Sequence, residues 1–436
     1  MTHDTLDSRA HPLDDAAIAA LAERLAGSRY VLLGEATHGT HEFYDLRADL
    51  TRRLIADHGF HAVALEADWP DAARLDGYVR HRSDDADPRA ALGDFTRFPT
   101  WMWRNTVVAG FAAWLREHNA DRDVPTGIYG MDLYSLFTSI EEVLRYLDAV
   151  DPEAAERARL RYDCFDHVGV DGQRYGHAIA VAGQEPCEAD VVEQLVELRR
   201  NAHAYVGSDG QPREDAFFDA EQNARLVADA ERYYRAMFRG RDDSWNLRDT
   251  HMADTVDALA EHHASRVGEP RIAVWAHNSH LGDARATEMG RRRGQINVGQ
   301  LLRERHPGQV TAVGFTTHRG HVTAASQWDG PMLRQRVRDA LPDSHEAVLH
   351  EVAADRFWLD MHDPDVAATF GEPRLERAIG VVYRPETERI SHYFSAQLPS
   401  QFDVVIHIDE TTALQPLDPT SAWESGKVPD TYPWAV

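Results

Sequence analysis

Along the chain, short runs of apolar and β-branched residues alternate with longer stretches in which apolar positions recur every three or four residues. The runs are "YVLLGE" at Tyr30, "AVALEAD" at Ala62, "TGIYGMD" at Thr126, "RIAVWAHN" at Arg271, "TAVGFTTH" at Thr311, "AIGVVY" at Ala378 and "DVVIHID" at Asp403. Runs this short and uniformly apolar read as strands buried on both faces, the signature of a parallel sheet covered by helices. The stretches between them read as helices. In "HEFYDLRADLTRRLIADHG", Phe43, Leu46, Leu50, Leu54 and Ile55 recur at near-helical spacing, and Gly59 marks the stop. The pattern predicts an α/β fold with a mainly parallel central sheet flanked by helices. Between the third and fourth runs, about 140 residues carry helical patterns alone, too long for an ordinary crossover. A large helical insert or cap is therefore expected over residues 136–266, with residues 1–135 and 267–436 forming the core that carries the active site.

In an open α/β sheet, ligands bind beyond the carboxyl ends of the strands. The first run ends in Glu35 with His38 three residues on, the second in Glu66 and Asp68, the third in Asp132, the fourth in His277 and His280, and the fifth in His318. One polar residue after a strand is ordinarily a loop residue or helix cap. Five successive ends of this kind predict a shared cleft holding Glu35, Glu66, Asp132 and His277. Imidazole titrates near neutrality and a carboxylate fixes its tautomer, so such a cleft suits general acid–base chemistry.

Composition narrows the classes. With 72 acidic against 46 basic side chains, a formal charge of −26, nucleic acids and anionic membranes are disfavoured as partners. The start "MTHDTLDSRAHPLDDAAIAA" has acids where a signal peptide needs a basic start, and no later apolar run reaches membrane-spanning length. A cytoplasmic protein is expected. Cys164 and Cys187 are too few for a disulfide framework, lack CxxC spacing, and read as ordinary residues. No GxSxG nucleophile elbow and no HExxH zinc motif occurs, which disfavours a serine hydrolase and the common helical zinc-protease arrangement.

The segments "GEATHGTHEFYDLR", "ALEAD", "WAHNSHLGD" and "YRPETERISHYF" resemble the signature segments of the erythromycin esterase family. The likeness runs from about Tyr30 to Leu417 and includes "FPTWMWRN" and "GFTTHRGHVTAASQW". It implies a hydrolase of carboxylic esters or lactones, in some members macrolide lactones and so antibiotic resistance. It also implies a motif histidine acting as general base for water. Carried over by motif, the implied catalytic residues are Glu35, His38, Arg47, Glu66, His277 and His280. His38 would take the proton, Glu35 or Glu66 would orient it, and Arg47 assisted by His280 would stabilise the oxyanion.

Substrate-binding candidates are Asp132, Trp101, Trp103, His318, His392 and Tyr393. The two tryptophans read as core packing or as the mouth of an apolar pocket, and His392 and Tyr393 as a pocket wall. Arg248, Asp249 and His251 in "WNLRDTHMADT" read as a salt bridge and cap at a helix start. The expected ligand is a small ester or lactone, without a cofactor. A rival reading makes Glu35, His38, Glu66, His277 and His280 ligands of zinc, manganese or iron in a metal-dependent hydrolase. A second rival is a lyase or cyclisation enzyme of natural-product or polysaccharide biosynthesis using the same site.

Overall fold

The computed structural model of the chain describes residues 3–168, 171–206, 211–238 and 240–426. Its strands are β1 (His11–Pro12), β2 (Tyr30–Leu33), β3 (Ala62–Asp68), β4 (Gly127–Asp132), β5 (Ile272–Trp275), β6 (Val310–Ala324), β7 (Leu333–Val337), β8 (Arg356–Asp360), β9 (Arg374–Arg377), β10 (Tyr393–Ala396) and β11 (Val404–Thr411). One sheet has the order β1-β8-β11-β6-β2-β5-β3-β4, with β7 also paired to β6, and β9 and β10 form a separate pair. β2 runs parallel to β5 and β6, and β6 runs parallel to β11. β8 and β7 pair antiparallel with β11 and β6. The fold is α/β with a mainly parallel sheet, as the double-sided burial of the apolar runs predicts. Every residue of β2, β3, β4 and β5 is buried.

The run "AIGVVY" departs from expectation. Residues Ala378–Tyr383 form no strand and make only isolated bridges, Ile379 with Thr37 and Val382 with Ala325. Their apolar character comes from packing, since Ile379 and Tyr383 are fully buried with Val322, Ala324 and Val337. Strands β7 to β10 escape the sequence pattern for the opposite reason. They are short and antiparallel, and β7 ("LRQRV") shows polar positions to solvent between buried ends.

The chain divides into two compact units. The first comprises Met1–Ala64, Arg74–Ile128 and Arg266–Val436, and the second Leu65–Ala73 and Tyr129–Ser265. In the first, helix His41–His58 follows β2 and buries Phe43, Tyr44, Leu46, Leu50, Leu54 and Ile55, ending where Gly59 takes the left-handed conformation. Each fully buried leucine of this stripe contributes about 1.5–3 kcal/mol. The second unit is helical: Leu136–Val150, Pro152–Tyr162, Gly172–Ala182, Glu188–Arg200, Ala202–Val206, Gln211–Met237, and the helix Arg241–Val267, which runs into the first unit. Among the described residues, no strand lies between β4 and β5. Asp151 ends the first of these helices and caps the next, accepting a bond from the Ala154 N–H at 3.0 Å, with Pro152 at the first position. Cys164 and Cys187 are joined as a disulfide, Cα–Cα 5.9 Å, which corrects their reading as ordinary residues. Helix packing brings them together, and no spacing rule in the sequence announces it. Among the described residues, no helix is long and apolar enough to cross a membrane.

Candidate functional site

Beyond β2 the chain passes through Gly34–Thr40 before the helix begins. This turn is tied down from several directions. The Gly34 N–H donates to the Val313 carbonyl at 2.9 Å, the Asn278 N–H to the Glu35 carbonyl at 2.8 Å, and the His38 N–H to the Ile379 carbonyl at 3.2 Å. The Gly39 carbonyl accepts from the N–H groups of Thr323 and Leu414. Side chains at Gly34 and Gly39 would collide with Asn278 and with the Thr323 backbone, so these close approaches require glycine. Glu35 and His38 thus sit on a backbone fixed by distant segments.

Their side chains form a chain of contacts with Arg47. One oxygen of Glu35 holds His38 Nδ1 at 2.8 Å, and the other accepts from Arg47 Nη2 at 2.9 Å. Arg47 is fully buried and Glu35 is 1% exposed. The guanidinium also lies over the rings of Tyr44 and Trp275, at 4.3 and 5.1 Å from their centroids. The His38 ring meets the ring of His277, centroids 4.8 Å apart. His277 caps the short helix Asn278–Leu281, its Nδ1 accepting from the Ser279 N–H at 3.2 Å and lying 2.9 Å from the Ser279 hydroxyl. His280 lies in that helix and is buried. The first unit therefore holds a carboxylate–imidazole pair whose carboxylate is neutralised by a buried arginine, with a second imidazole against the first.

In the second unit, Arg248 lies within helix Arg241–Val267 and not at its start. Its Nε and Nη2 bind both oxygens of Asp132, at 2.9 and 2.7 Å, and Nη2 reaches Glu66 at 2.8 Å. Burial alone would raise the Asp132 carboxyl, but the guanidinium outweighs it and holds it below the usual range. Burial would likewise lower Arg248, and Asp132, Tyr134 and Glu66 reverse this, keeping it firmly protonated. Asp68 accepts from the Tyr134 N–H at 2.8 Å. Sequence reasoning left Arg248 outside the catalytic set, because its partners lie 116 and 182 residues away. His251, three residues on, holds Asp229 at 2.9 Å.

The remaining candidates are placed differently. Trp101 and Trp103 are buried, with Trp101 edge-on to Phe98 and Trp103 beside Tyr44 and Phe95. Tyr393 accepts from Arg377 Nε at 2.9 Å and the Leu341 N–H at 3.3 Å, while His392 Nε2 accepts from the Arg384 N–H at 3.0 Å. The Tyr393 hydroxyl and His392 Nε2 are thus engaged by the scaffold. His318 stacks on His350, a residue the sequence did not single out.

A family model described as erythromycin esterase matches residues 55–411. The chain belongs to the erythromycin esterase family. The matched residues include Glu66, Asp132, His277 and His280 and begin after Arg47. Among curated relatives, a protein of Bacillus subtilis (strain 168) designated a hydrolase, YbfO, is 24% identical over 409 residues, covering 90% of this chain and 86% of its own. Erythromycin esterase type I of Escherichia coli is 23% identical over 331 residues, covering 71% of this chain and 75% of its own. Among solved structures, a Bacillus cereus protein superposes with a TM-score of 0.78 at 20% identity, covering 95% of this chain and 98% of that one. A histidine-to-asparagine mutant of the erythromycin esterase EreC in an open conformation gives 0.70 at 19% identity, covering 94% and 99%. These structural likenesses show a shared fold. Family and relatives together indicate the hydrolase class, of esterase type.

Proposed function

We propose that the protein hydrolyses a carboxylic ester or lactone by direct attack of water, with His38 as general base. The observation that carries this reading is the buried contact chain Arg47–Glu35–His38, which ends at the ring of His277. With Nδ1–H bound to Glu35, the lone pair of His38 is on Nε2. That nitrogen takes a proton from water as the water oxygen adds to the carbonyl carbon. Glu35 stabilises the resulting imidazolium, which then returns its proton to the departing alkoxide, leaving acid and alcohol. His277 accepts the Ser279 N–H at Nδ1, so its own proton belongs on Nε2, where it serves as donor to the developing oxyanion. Arg47 is thereby assigned as a positioning residue that holds and aims Glu35, in place of the oxyanion role inferred from sequence.

The reading is metal-free, and charge balance supports it. Glu35 carries Arg47, and Glu66 and Asp132 share Arg248, so a divalent ion on these carboxylates would stand beside a guanidinium. Macrolide lactones head the substrates to test, because an erythromycin esterase is among the relatives. Purified protein is assayed against ester and lactone panels alongside His38→Ala and His38→Asn. Both variants should turn over roughly a hundred-fold or more slowly with unchanged far-UV circular dichroism. Near-normal turnover by His38→Ala, or an acyl-enzyme trapped in mass spectra, would overturn the mechanism.

A further inference from the structure

His318, His350 and Asp409 come from three separated places in the first unit: β6, the last residue of helix His345–His350, and β11. Each offers one ligand atom, and the three atoms lie within 4.8 Å of one another. The imidazoles stack with centroids 3.7 Å apart and 8° between their planes. His350 Nδ1 is 2.5 Å from an oxygen of Asp409. His318 is 7% exposed, and its Nδ1 is buried without a hydrogen-bond partner, a situation native proteins rarely leave uncompensated.

We propose that these three side chains form a binding site for a divalent transition-metal ion of the zinc class, built from residues distinct from the Glu35–His38–Arg47 chain. Two imidazoles and one carboxylate are the ligand types such ions take, and three protein ligands leave a position for water. The Asp409 carboxylate is already gripped by His350 and His407. His407 supports the carboxylate from behind. It is buried, its Nε2 lies 3.5 Å from the same Asp409 oxygen, and its Nδ1 is held by Thr316 at 2.9 Å.

Binding requires one rearrangement. Ligand atoms around a tetrahedral zinc stand about 3.3 Å apart, and parallel stacked rings cannot both aim their lone pairs at one ion. His350 is the ring that turns, because its side chain is 39% exposed at a helix end while His318 and Asp409 are held on strands. The ion replaces the proton shared between His350 and Asp409, and that proton leaves to solvent. The bound ion then ties the helix to the β6–β11 pair.

The test uses tag-free full-length protein, stripped with chelator and dialysed, titrated with Zn2+ by calorimetry and with Co2+ by visible absorption. Wild type and His38→Ala should each bind one equivalent tightly, with a Co2+ ligand-field spectrum. His318→Ala, His350→Ala and Asp409→Asn should each weaken that equivalent at least tenfold and remove the spectrum. His350→Ala alters an exposed ring, so its effect is separable from misfolding, and circular dichroism checks the other two. The proposal fails if wild type binds no equivalent tighter than the His318→Ala/Asp409→Asn double variant does. It also fails if the tight equivalent survives in His350→Ala, or is lost in His38→Ala while the three variants keep it.

Discussion

Replacing Arg47 with Met should cost stability and activity together, and removing Glu35 as well should restore only the stability. Methionine keeps an unbranched apolar stem against Tyr44 and Trp275, so the chief loss is the charge that faces Glu35 at 2.9 Å. Glu35 is 1% exposed, which leaves its carboxylate in a buried site without its cation. Removing one partner of a buried ion pair costs about 3–5 kcal/mol. At about 2–4 °C per kcal/mol, the Tm should fall by on the order of 10 °C. In Glu35→Gln/Arg47→Met both charges are gone, and the double-variant cycle should recover most of that loss as a favourable coupling. Activity should not return, because His38 would have lost the anion that fixes its tautomer. Urea denaturation followed by circular dichroism gives the first quantity, and ester hydrolysis gives the second. An Arg47→Met protein within about 0.5 kcal/mol of wild type would place Arg47 with ordinary surface arginines and refute the reasoning. Strict additivity in the double variant would refute it too.

Two further predictions concern pH. Asp132 is held below its ordinary range by Arg248, so its contribution is complete above the unfolded value of about 3.9 and is lost as pH falls through the folded value. Arg248→Met should therefore be clearly less stable than wild type at pH 7, with the gap closing below about pH 4; a gap independent of pH in urea titrations refutes this. Asp409, brought down to about 2, follows the same sign. With chelator present, Asp409→Asn should lack about 2 kcal/mol of stability at neutral pH, a deficit that vanishes as pH approaches 2, and a deficit that persists there counts against the assignment.

What the sequence disclosed followed from how locally each feature is encoded. β2, β3, β4 and β5 were legible because a strand covered on both faces has no polar positions to blur it. Ala378–Tyr383 looked the same, since apolar composition cannot separate a ladder from an irregular segment packed on Val322 and Val337. Glu35 and His38 were legible because three residues separate them. Arg47 lies well inside a helix, and only the family likeness drew it in. Arg248 answers carboxylates far away in the chain, and the Cys164–Cys187 link and the His318–His350–Asp409 group arise wholly from folding. Such long-range partners leave no periodic trace for a single sequence to show.

The clasp on the His38 turn sets a schedule for the newborn chain. The Gly39 carbonyl waits for the Leu414 N–H, and Glu42 receives both the backbone N–H and the hydroxyl of Thr412, 370 residues downstream. At about 5–20 residues per second, a ribosome takes roughly 20–70 s to cover that interval. Throughout it, the segment bearing Glu35 and His38 has been made but lacks the bonds from Thr412 and Leu414 that complete its clasp. The enzyme's earliest-synthesised chemistry is thus among the last to be assembled, and a chain that stalls or is clipped before Thr412 would carry every motif residue and still lack the turn that aims them.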